Sequence, residues 1–486
     1  MPLGRPHLLQ KQRSIRSNRR GRANFPKEVL RVVYLRPKRK NQVWYSAKVS
    51  SVILILILRS EKKEISLVDL QNSMAAPSSF SKDRNKGCWV EFLRQHPDKI
   101  ICHRDVSEKC SVPVRLLSPI FTEFVRDLDN IAVCSQDCTF VDILTDSMCG
   151  AFDDENGRRL KFVELFQLYT GLNLIVMKYA KSETDGSLIF ANGALYCNLE
   201  VKVEKGSGGG DPYMQCIAYY IKSLPKDAVF TQYPCFLLEL CGTAFSVSGI
   251  VNTDTQIICD PLSPTYQLLC NQDFVIAGNI ARLFSSLRKS LGILRVIEFL
   301  RASPFPYLSS FHELGSNSEF NVEYRQRMKG LLFCAKVVDS EAEVIVKFCS
   351  RYNADVHLYC HSMGFAPRLI SMEYLGSYFV VVMEKLALRA LEPDDDAKYG
   401  IRDQISVVVQ KLKEKLYVHG DMRTTNVLFD TLANRVVLVD FDWAGIDGTA
   451  VYPPFMNPDI NWPEGASTGQ PIRHEHDLYW LNALFR

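Results

Sequence analysis

Apolar residues in the middle of the chain recur with two periods, one typical of helices and one typical of strands. Leu160–Leu172 and Ile280–Arg301 have apolar positions at helical intervals, and the second run carries basic side chains on its polar faces. Between them, Leu195–Val203 has the pattern of a strand, and three shorter strand-like runs follow it. These runs are Cys235–Leu240, Phe245–Val251 and Gln256–Cys259. Because Ser303–Pro306 interrupts the second helical run, we expect a domain boundary near residues 303–320.

The same patterns extend to both sides of this central region. Residues 83–150 have a mainly helical pattern, and Ser73–Ser81 before them has the composition of a linker. Beyond the boundary, Glu343–Phe348, Tyr378–Val382 and Val436–Val439 predict strands. The chain is therefore expected to combine a helical segment with at least two mixed domains.

Length and composition are those of ordinary globular domains. A chain of 486 residues suggests two or three domains, and 47% apolar with 23% charged residues is typical of folded protein. The 15 cysteines are odd in number and lack zinc-ligand spacing, which indicates small core residues in a reducing interior. The first 20 residues lack the apolar core of a signal peptide, and Ser51–Leu58 is shorter than the ~20 residues that span a bilayer. We expect an intracellular protein without a membrane segment.

The charge of the chain is concentrated at its beginning. Residues 1–40 contain 13 Lys and Arg but one acid, whereas the whole chain has a net charge of +4. Such a segment is usually a disordered, solvated arm, so residues 1–75 are predicted to be basic and disordered. Arg36–Lys40 also resembles a nuclear-import patch, and the arm would bind DNA phosphates without reading sequence. Nuclear location and weak DNA contact are therefore expectations.

The strongest chemical signal is the spacing of three polar residues near the end of the chain. Asp421 is followed by Asn426 after five residues and by Asp440 after 14 more. Transfer of a γ-phosphoryl group needs a carboxylate that orients the attacking hydroxyl and oxygen ligands that hold Mg²⁺ against the phosphates. The pattern predicts a phosphoryl-transfer site. The alternative is a surface loop followed by a buried strand.

The segment Leu416–Gly445 resembles the catalytic and metal-binding loops of the protein kinase-like superfamily, including the branch that phosphorylates aminoglycosides and choline and often carries His-Gly-Asp. The resemblance implies Asp421 as catalytic base, Asn426 and Asp440 as Mg²⁺ ligands, and Arg423 at the γ-phosphate, where protein kinases usually have Lys.

The resemblance extends upstream and downstream of these loops. Lys347 looks like the ATP-anchoring lysine, and Met383-Glu384-Lys385 looks like the hinge beside adenine, so Lys347, Glu384 and Lys385 are the expected ATP-binding residues. Asp477 resembles the helix aspartate that braces the catalytic loop. ATP and Mg²⁺ are the implied cofactors, and a protein substrate is the implied partner.

Several positions depart from the family pattern. No G-x-G-x-x-G precedes Lys347, and Asp442 stands where the metal-binding loop normally has glycine. Asp355 is the one plausible acidic partner that the expected helix offers to Lys347. Gly420 replaces the arginine that pairs with a phosphorylated activation loop, so that switch is not expected. The sequence also stops at Arg486, before the later helices of a protein kinase.

A second constellation precedes the boundary. Asp185, Glu200 with Lys202, and Gln215 with Tyr219 form a D…E-x-K…Q-x-x-x-Y pattern, with the glycine-rich stretch 206–210 before the last pair. Glu200 and Lys202 alternate by two, so both side chains leave the same face of a strand. Asp185 and Glu200 would be able to share Mg²⁺, and Lys202 would either orient the attacking water or balance charge in the transition state. The alternative is a half-exposed strand with alternating charge.

This pattern resembles restriction-endonuclease-like nucleases. Combined with the C-terminal motifs it is similar to Crinkler-type effectors and related proteins of fungi and oomycetes, and an effector of this type implies delivery into a host cell. The expected fold is α+β and multidomain, with an α/β restriction-endonuclease-like core and a minimal two-lobed protein kinase-like domain. The expected ranges are 1–75 (basic segment), 76–150 (helical adaptor), 151–302 (nuclease-like) and 315–486 (kinase-like).

The leading interpretation of function is ATP- and Mg²⁺-dependent phosphorylation of protein Ser or Thr. The alternatives are a small-molecule kinase, a Mg²⁺-dependent nuclease whose kinase half is regulatory or inactive, and a non-catalytic effector.

Overall fold

The computed structural model describes residues 66–77, 89–96, 98–102, 111–179, 182–205, 210–270 and 273–485. The basic patch Arg36–Lys40 and the apolar run Ser51–Leu58 lie outside these residues. A helix, α1 (Leu67–Ser73), lies within the last part of the segment that was predicted to be disordered. It buries Leu70, and the side chain of Gln71 donates to the carbonyl of Ile221. The folded part therefore begins ahead of the expected boundary at residue 76.

The N-terminal half, residues 66–302, contains α1, seven further α-helices, a short 3₁₀-helix (Lys226–Val229) and nine strands among its described residues. The helices are α2 (Trp89–Gln95), α3 (Val114–Leu117), α4 (Pro119–Asn130), α5 (Ser135–Met148), α6 (Glu155–Thr170), α7 (Pro212–Ser223) and α8 (Phe274–Leu294). The strands are β1 (Ile100–Ile101), β2 (Lys178–Tyr179), β3 (Ser182–Glu183), β4 (Gly186–Ile189), β5 (Leu195–Lys202), β6 (Cys235–Cys241), β7 (Ala244–Asn252), β8 (Ile257–Pro261) and β9 (Tyr266–Gln267). The segment 76–150, expected to be helical, thus also supplies the short strand β1.

Seven of these strands form the first sheet, in the order β1-β8-β7-β6-β5-β4 with β9 paired to β7. β5 and β6 are parallel, and α7 connects them and packs on both. All eight residues of β5 are buried, including Glu200 and Lys202, because this central strand is covered on both faces. Asp211 caps α7 by accepting the N–H of Met214, and Pro212 occupies the first turn.

The C-terminal half, residues 303–485, has four helices and eleven strands among its described residues. The strands are β10 (Ser310–His312), β11 (Glu319–Lys329), β12 (Leu332–Val337), β13 (Glu343–Cys349), β14 (Leu369–Tyr374), β15 (Phe379–Glu384), β16 (Leu388–Ala390), β17 (Tyr417–Val418), β18 (Val427–Asp430), β19 (Arg435–Leu438) and β20 (Gly445–Ile446). The helices are α9 (Ala354–Ser362), α10 (Asp395–Tyr399), α11 (Ile401–Glu414) and α12 (His474–Ala483).

The C-terminal half is divided into an upper and a lower part. The upper part is the second sheet, antiparallel in the order β10-β11-β12-β13-β15-β14, with α9 between β13 and β14 in the chain. The lower part contains α10 to α12 and two small sheets, β16-β18-β19 and β17-β20. Both halves mix helices and strands, which confirms the prediction of a mixed α and β protein.

The two halves share one hydrophobic core. The core of the first sheet continues into Phe333 and Val346 of the second sheet. Arg115 of α3 donates to the hydroxyl of Ser377, and the N–H of Tyr307 donates to the carbonyl of Leu116. The lower part has a separate core around α11 and α12. No helix among the described residues has both the length and the apolar character needed to cross a membrane.

Candidate functional site

The loop between β17 and β18 is held from below by a buried aspartate. Asp477, in the first turn of α12, accepts the N–H of His419 at 2.7 Å and the N–H of Gly420 at 2.9 Å. Burial raises the pKa of Asp477 to about 7, although the two N–H donors oppose the shift. Two backbone N–H groups donate hydrogen bonds to this one carboxylate, which fixes the backbone immediately before Asp421.

Gly420 is needed for the path of this loop. Its backbone is left-handed, with φ of +81°, and a Cβ there would lie 2.9 Å from Ile472 Cδ1. A residue with a side chain would be strained by the backbone angle and would also displace Ile472. The glycine of the His-Gly-Asp tripeptide therefore has a local structural reason.

The carboxylate of Asp421 is surrounded by donors. Arg423 pairs with both of its oxygens, with Nη2 at 2.7 Å from Oδ2, and the amide Nδ2 of Asn426 lies 2.8 Å from Oδ2. Arg423 is itself stacked on Trp462, with its Cζ 5.1 Å from the ring centre, and the bond to Asp421 raises its pKa. These contacts fix the orientation of Asp421, which is 5% exposed.

Asn426 and Asp440 are brought together by backbone pairing. The N–H of Val439 donates to the carbonyl of Asn426 at 3.0 Å, so Asp440 follows directly beside it. Because Nδ2 of Asn426 is turned to Asp421, its Oδ1 points to the other side of the planar amide. Amide and carboxylate oxygens are the ligands that Mg²⁺ prefers, so these side chains fit a Mg²⁺ site. Asp440 has φ of +70°, an uncommon left-handed backbone that directs its side chain.

Lys347 reaches this group from the upper sheet. Its Nζ lies 2.7 Å from Oδ1 of Asp440 and 2.6 Å from Oδ1 of Asp442. The expectation that Asp355 pairs with Lys347 is wrong, because Asp355 is exposed on α9 and the ion pairs that the described residues make with Lys347 come from the metal-binding loop.

Burial and charge act against each other in this cluster. Burial disfavours the charged form of Lys347, yet the charges of Asp440 and Asp442 outweigh it and raise its pKa. Burial also works against ionised Asp440, but Lys347 lowers its pKa overall. For Asp442, burial and the neighbouring charge of Asp440 raise the pKa despite Lys347. One ammonium is thus shared by two carboxylates that repel each other.

The side chains of Glu384 and Lys385 are used within the upper sheet rather than turned to a ligand. Glu384 accepts the N–H of Arg368 at 2.6 Å, and Lys385 pairs with Glu343 at 2.9 Å. The N–H groups of Glu384 and Lys385 also donate to carbonyls, those of Arg368 and Glu343. A base bound beside this segment would therefore meet backbone carbonyls or later residues rather than these side chains.

The second predicted constellation also converges, in the first sheet. Asp185 directly precedes β4, and its Oδ2 accepts the N–H of Val201 at 2.7 Å. Glu200 is fully buried, and burial followed by the charge of Asp185 raises its pKa well above the usual range. Its Oε1 has no hydrogen-bond partner among the described residues. A buried carboxylate oxygen without a donor fits a cation shared with Asp185.

A residue that the sequence pattern missed completes this second group. Lys202 Nζ lies 3.2 Å from Oε2 of Glu155, in the first turn of α6, and 2.7 Å from the carbonyl of Val201. Glu164, on the same helix, instead pairs with Lys161 at the surface. Glu155 precedes the apolar run Leu160–Leu172, so helical periodicity gave it no signal.

The helix α7, which follows β5 in the chain, carries the other two predicted residues of this group, Gln215 and Tyr219. The hydroxyl of Tyr219 donates to the carbonyl of Glu183 at 2.5 Å, and after burial the charges of Glu200 and Asp185 raise the pKa of Tyr219. Gln215 is buried, and its Oε1 has no hydrogen-bond partner in the part of the chain that the structure describes. Of the glycine-rich stretch 206–210, residues 206–209 lie outside the described residues.

Within the described ranges, no group of three or more His, Cys, Asp or Glu side chains is placed to hold a metal ion. The two sets above differ from such a group in composition: one pairs Asp440 with an amide, Asn426, and the other is the pair Asp185 and Glu200.

Comparisons with known proteins give partial structural matches. No protein-family model matches the chain, and no curated protein matches it. Among solved structures it is similar to the Cydia pomonella granulovirus kinase PK-1, with 16% identity, a TM-score of 0.24, and coverage of 27% of this chain and 55% of that one. It is also similar to the BubR1 kinase domain, with 17% identity, a TM-score of 0.27, and coverage of 37% of this chain and 64% of that one. Both matches span less than two thirds of the matched chains.

Proposed function

We propose that the C-terminal half transfers the γ-phosphoryl group of ATP to a hydroxyl group, with protein Ser or Thr as the acceptor class. The observation that carries the proposal is the contact of Lys347 with Asp440, 93 positions apart in the chain, next to Asp421 and Asn426. A lysine for phosphates, two oxygen ligands for Mg²⁺ and a carboxylate for the hydroxyl are the groups that this reaction needs.

Each residue has a role that follows from its surroundings. Asp421 orients the acceptor hydroxyl and takes its proton, and Arg423 keeps that carboxylate in place. Lys347 neutralises the nucleotide phosphates from the upper sheet. Asn426 and Asp440 would hold Mg²⁺, which would supply positive charge to offset the negative charge that develops during transfer. Asp477 holds the loop on which Asp421 stands.

The first test separates nucleotide binding from transfer. Asp440→Ala removes a Mg²⁺ ligand, so we expect it to abolish the Mg²⁺-dependent rise in unfolding temperature that ATP causes; a ligand at 100 times its Kd stabilises by about 2.7 kcal/mol. Asp421→Asn should keep this rise but lower the transfer rate by about 10²–10⁴-fold, the usual contribution of general base catalysis. The matched control is Asp403→Asn, an exposed aspartate on α11. Wild-type rates in Asp421→Asn would refute the assignment of the base.

The acceptor class needs its own experiment. Transfer of labelled phosphate from ATP would be measured with a library of Ser- and Thr-containing peptides and, in parallel, with aminoglycosides and choline. Labelled peptide that depends on Asp421 supports the protein acceptor. Label that appears on the small alcohols alone would replace it with a small-molecule acceptor. Folded protein with neither binding nor transfer would favour a non-catalytic role.

A second function is favoured by one observation in the first sheet. The buried Oε1 of Glu200, beside Asp185, has no hydrogen-bond partner among the described residues, which supports a divalent cation there. We propose Mg²⁺-dependent cleavage of a phosphodiester as the second candidate, with Lys202 orienting the attacking water. Nicking of supercoiled DNA should be lost in Lys202→Ala and kept in Lys205→Ala, its exposed neighbour on the same segment. Equal nicking by both variants would refute this candidate.

A further inference from the structure

Asp442 stands in the position where the sequence pattern leads one to expect glycine, and its carboxylate contacts Lys347. Oδ1 lies 2.6 Å from Nζ of Lys347, as close as the contact that Lys347 makes with Asp440 at 2.7 Å. Lys347 Nζ also lies 5.8 Å from the ring centre of Tyr352. The lysine side chain is 14% exposed, so its ammonium depends on protein partners rather than on water.

The helix α9, from which a carboxylate partner was expected, does not provide one. Its acid, Asp355, is exposed in the first turn. The buried side chain that faces inward is His357, which is bonded to the hydroxyl of Tyr352 at 2.7 Å and to the carbonyl of Pro367 at 2.9 Å. An uncharged imidazole in this environment cannot balance a lysine.

The loop that carries Asp442 is nevertheless attached to α9. The ring of Phe441 stacks on His357 at 4.5 Å between centroids with 7° between the planes. The N–H of Asn353, which caps α9, donates to the carbonyl of Phe441 at 3.2 Å. Stacking and a backbone bond on the residue directly before Asp442 fix where its carboxylate can reach.

The second carboxylate, Asp442, matters for the charge balance of Lys347. When Asp440 binds a metal ion, its negative charge is committed to that ion, and Lys347 would lose one of its two counter-charges. Asp442 remains. We propose that Asp442 is the positioning residue for Lys347: it takes the place of a helix carboxylate and holds the ammonium toward the nucleotide phosphates while Asp440 serves the metal. This inference rests on the proposed phosphoryl-transfer function.

The test is a double-mutant cycle with Asp442→Asn and Lys347→Met, read by calorimetric titration with MgATP. If Asp442 acts through Lys347, each single variant lowers ATP affinity by about ten- to a hundredfold, the range for loss of a charge-assisted contact. The double variant is then no weaker than the weaker single variant. Asp442→Glu, which keeps the carboxylate, should recover part of the affinity. Asp339→Asn, an exposed aspartate in the upper part, is the matched control.

Two results would overturn the proposal. Additive losses in the double variant would show that Asp442 does not act through Lys347. Recovery of Asp442→Asn by raised Mg²⁺ concentration would make Asp442 a metal ligand instead.

Failure of the proposed function is a separate result, because it shows as the absence of MgATP binding by wild-type protein. In that case the four proteins of the cycle (wild type, Asp442→Asn, Lys347→Met and the double variant) are compared by thermal unfolding without nucleotide. Non-additive changes in unfolding temperature would still support the Lys347–Asp442 pair, and additive changes would refute it.

Discussion

Asp477 offers the sharpest test of how the candidate loop is built. Asp477→Ala removes the acceptor of two buried N–H groups, those of His419 and Gly420. A buried donor left without a partner costs about 1–3 kcal/mol, so two of them predict a loss of about 2–6 kcal/mol in the free energy of unfolding. Asp477→Asn keeps one carbonyl oxygen and should lose about half as much. Both variants should also lower the transfer rate, because Asp421 follows this backbone directly.

The same residue predicts a dependence on pH. The pKa of Asp477 is raised from 3.8 to about 7 by burial. Between about pH 4 and pH 7 the native carboxyl keeps a proton that the unfolded chain has released. The stability that this raised pKa contributes is therefore fully present below pH 4 and is lost as the pH rises through 7. Relative to Asp477→Asn, the wild-type protein should therefore lose at most about 1.4 kcal/mol of stability per pH unit in this window.

The assay is thermal unfolding of the full chain, wild type beside Asp477→Ala and Asp477→Asn, at several values from pH 5 to pH 8. Asp403→Ala, at an exposed position of α11, controls for loss of an aspartate in the same part of the chain. An Asp477→Ala protein as stable as this control would refute the bracing role. An equal pH dependence of wild type and Asp477→Asn would refute the raised pKa.

Two more changes test other contacts. Arg423→Lys keeps the charge beside Asp421 but loses the two-pronged pairing, so steady-state transfer should fall about tenfold in kcat with little change in KM for ATP; unchanged kcat would show that the fork is not needed. Gly249→Ala places a Cβ 2.8 Å from Leu262 Cδ1 and 3.0 Å from Phe121 Cε1, so overpacking should lower the unfolding free energy by about 1–3 kcal/mol; a denaturant titration that matches wild type would contradict this packing.

The sequence was informative where chemistry is local in the chain. Asp421, Arg423 and Asn426 lie within one loop, so their spacing predicted that they would be close together. It did not predict the pairing of Arg423 with Asp421, because Arg423 was expected at the γ-phosphate. It was silent where the partner is distant or has an unexpected identity. Lys347 takes Asp442 from 95 positions away rather than the nearby Asp355, and no periodicity predicts which acid a folded lysine will meet. Glu155 pairs with Lys202 for the same reason, since the tertiary packing of α6 on β5 decides it.

The shared core explains why Lys347 faces the lower part at all. Along β13, Val344, Val346 and Phe348 belong to the core that continues into the N-terminal half, whereas Ile345 and Cys349 pack with Met383 on the opposite side. Side chains alternate across a strand, so Lys347 must leave on the second face, where Asp440 and Asp442 meet it. If the register of β13 shifted by one residue, the ammonium of Lys347 would be buried against apolar side chains of the N-terminal half, and Val346 would face Asp440 and Asp442 instead. Packing between the halves therefore selects the strand register that assembles the candidate site.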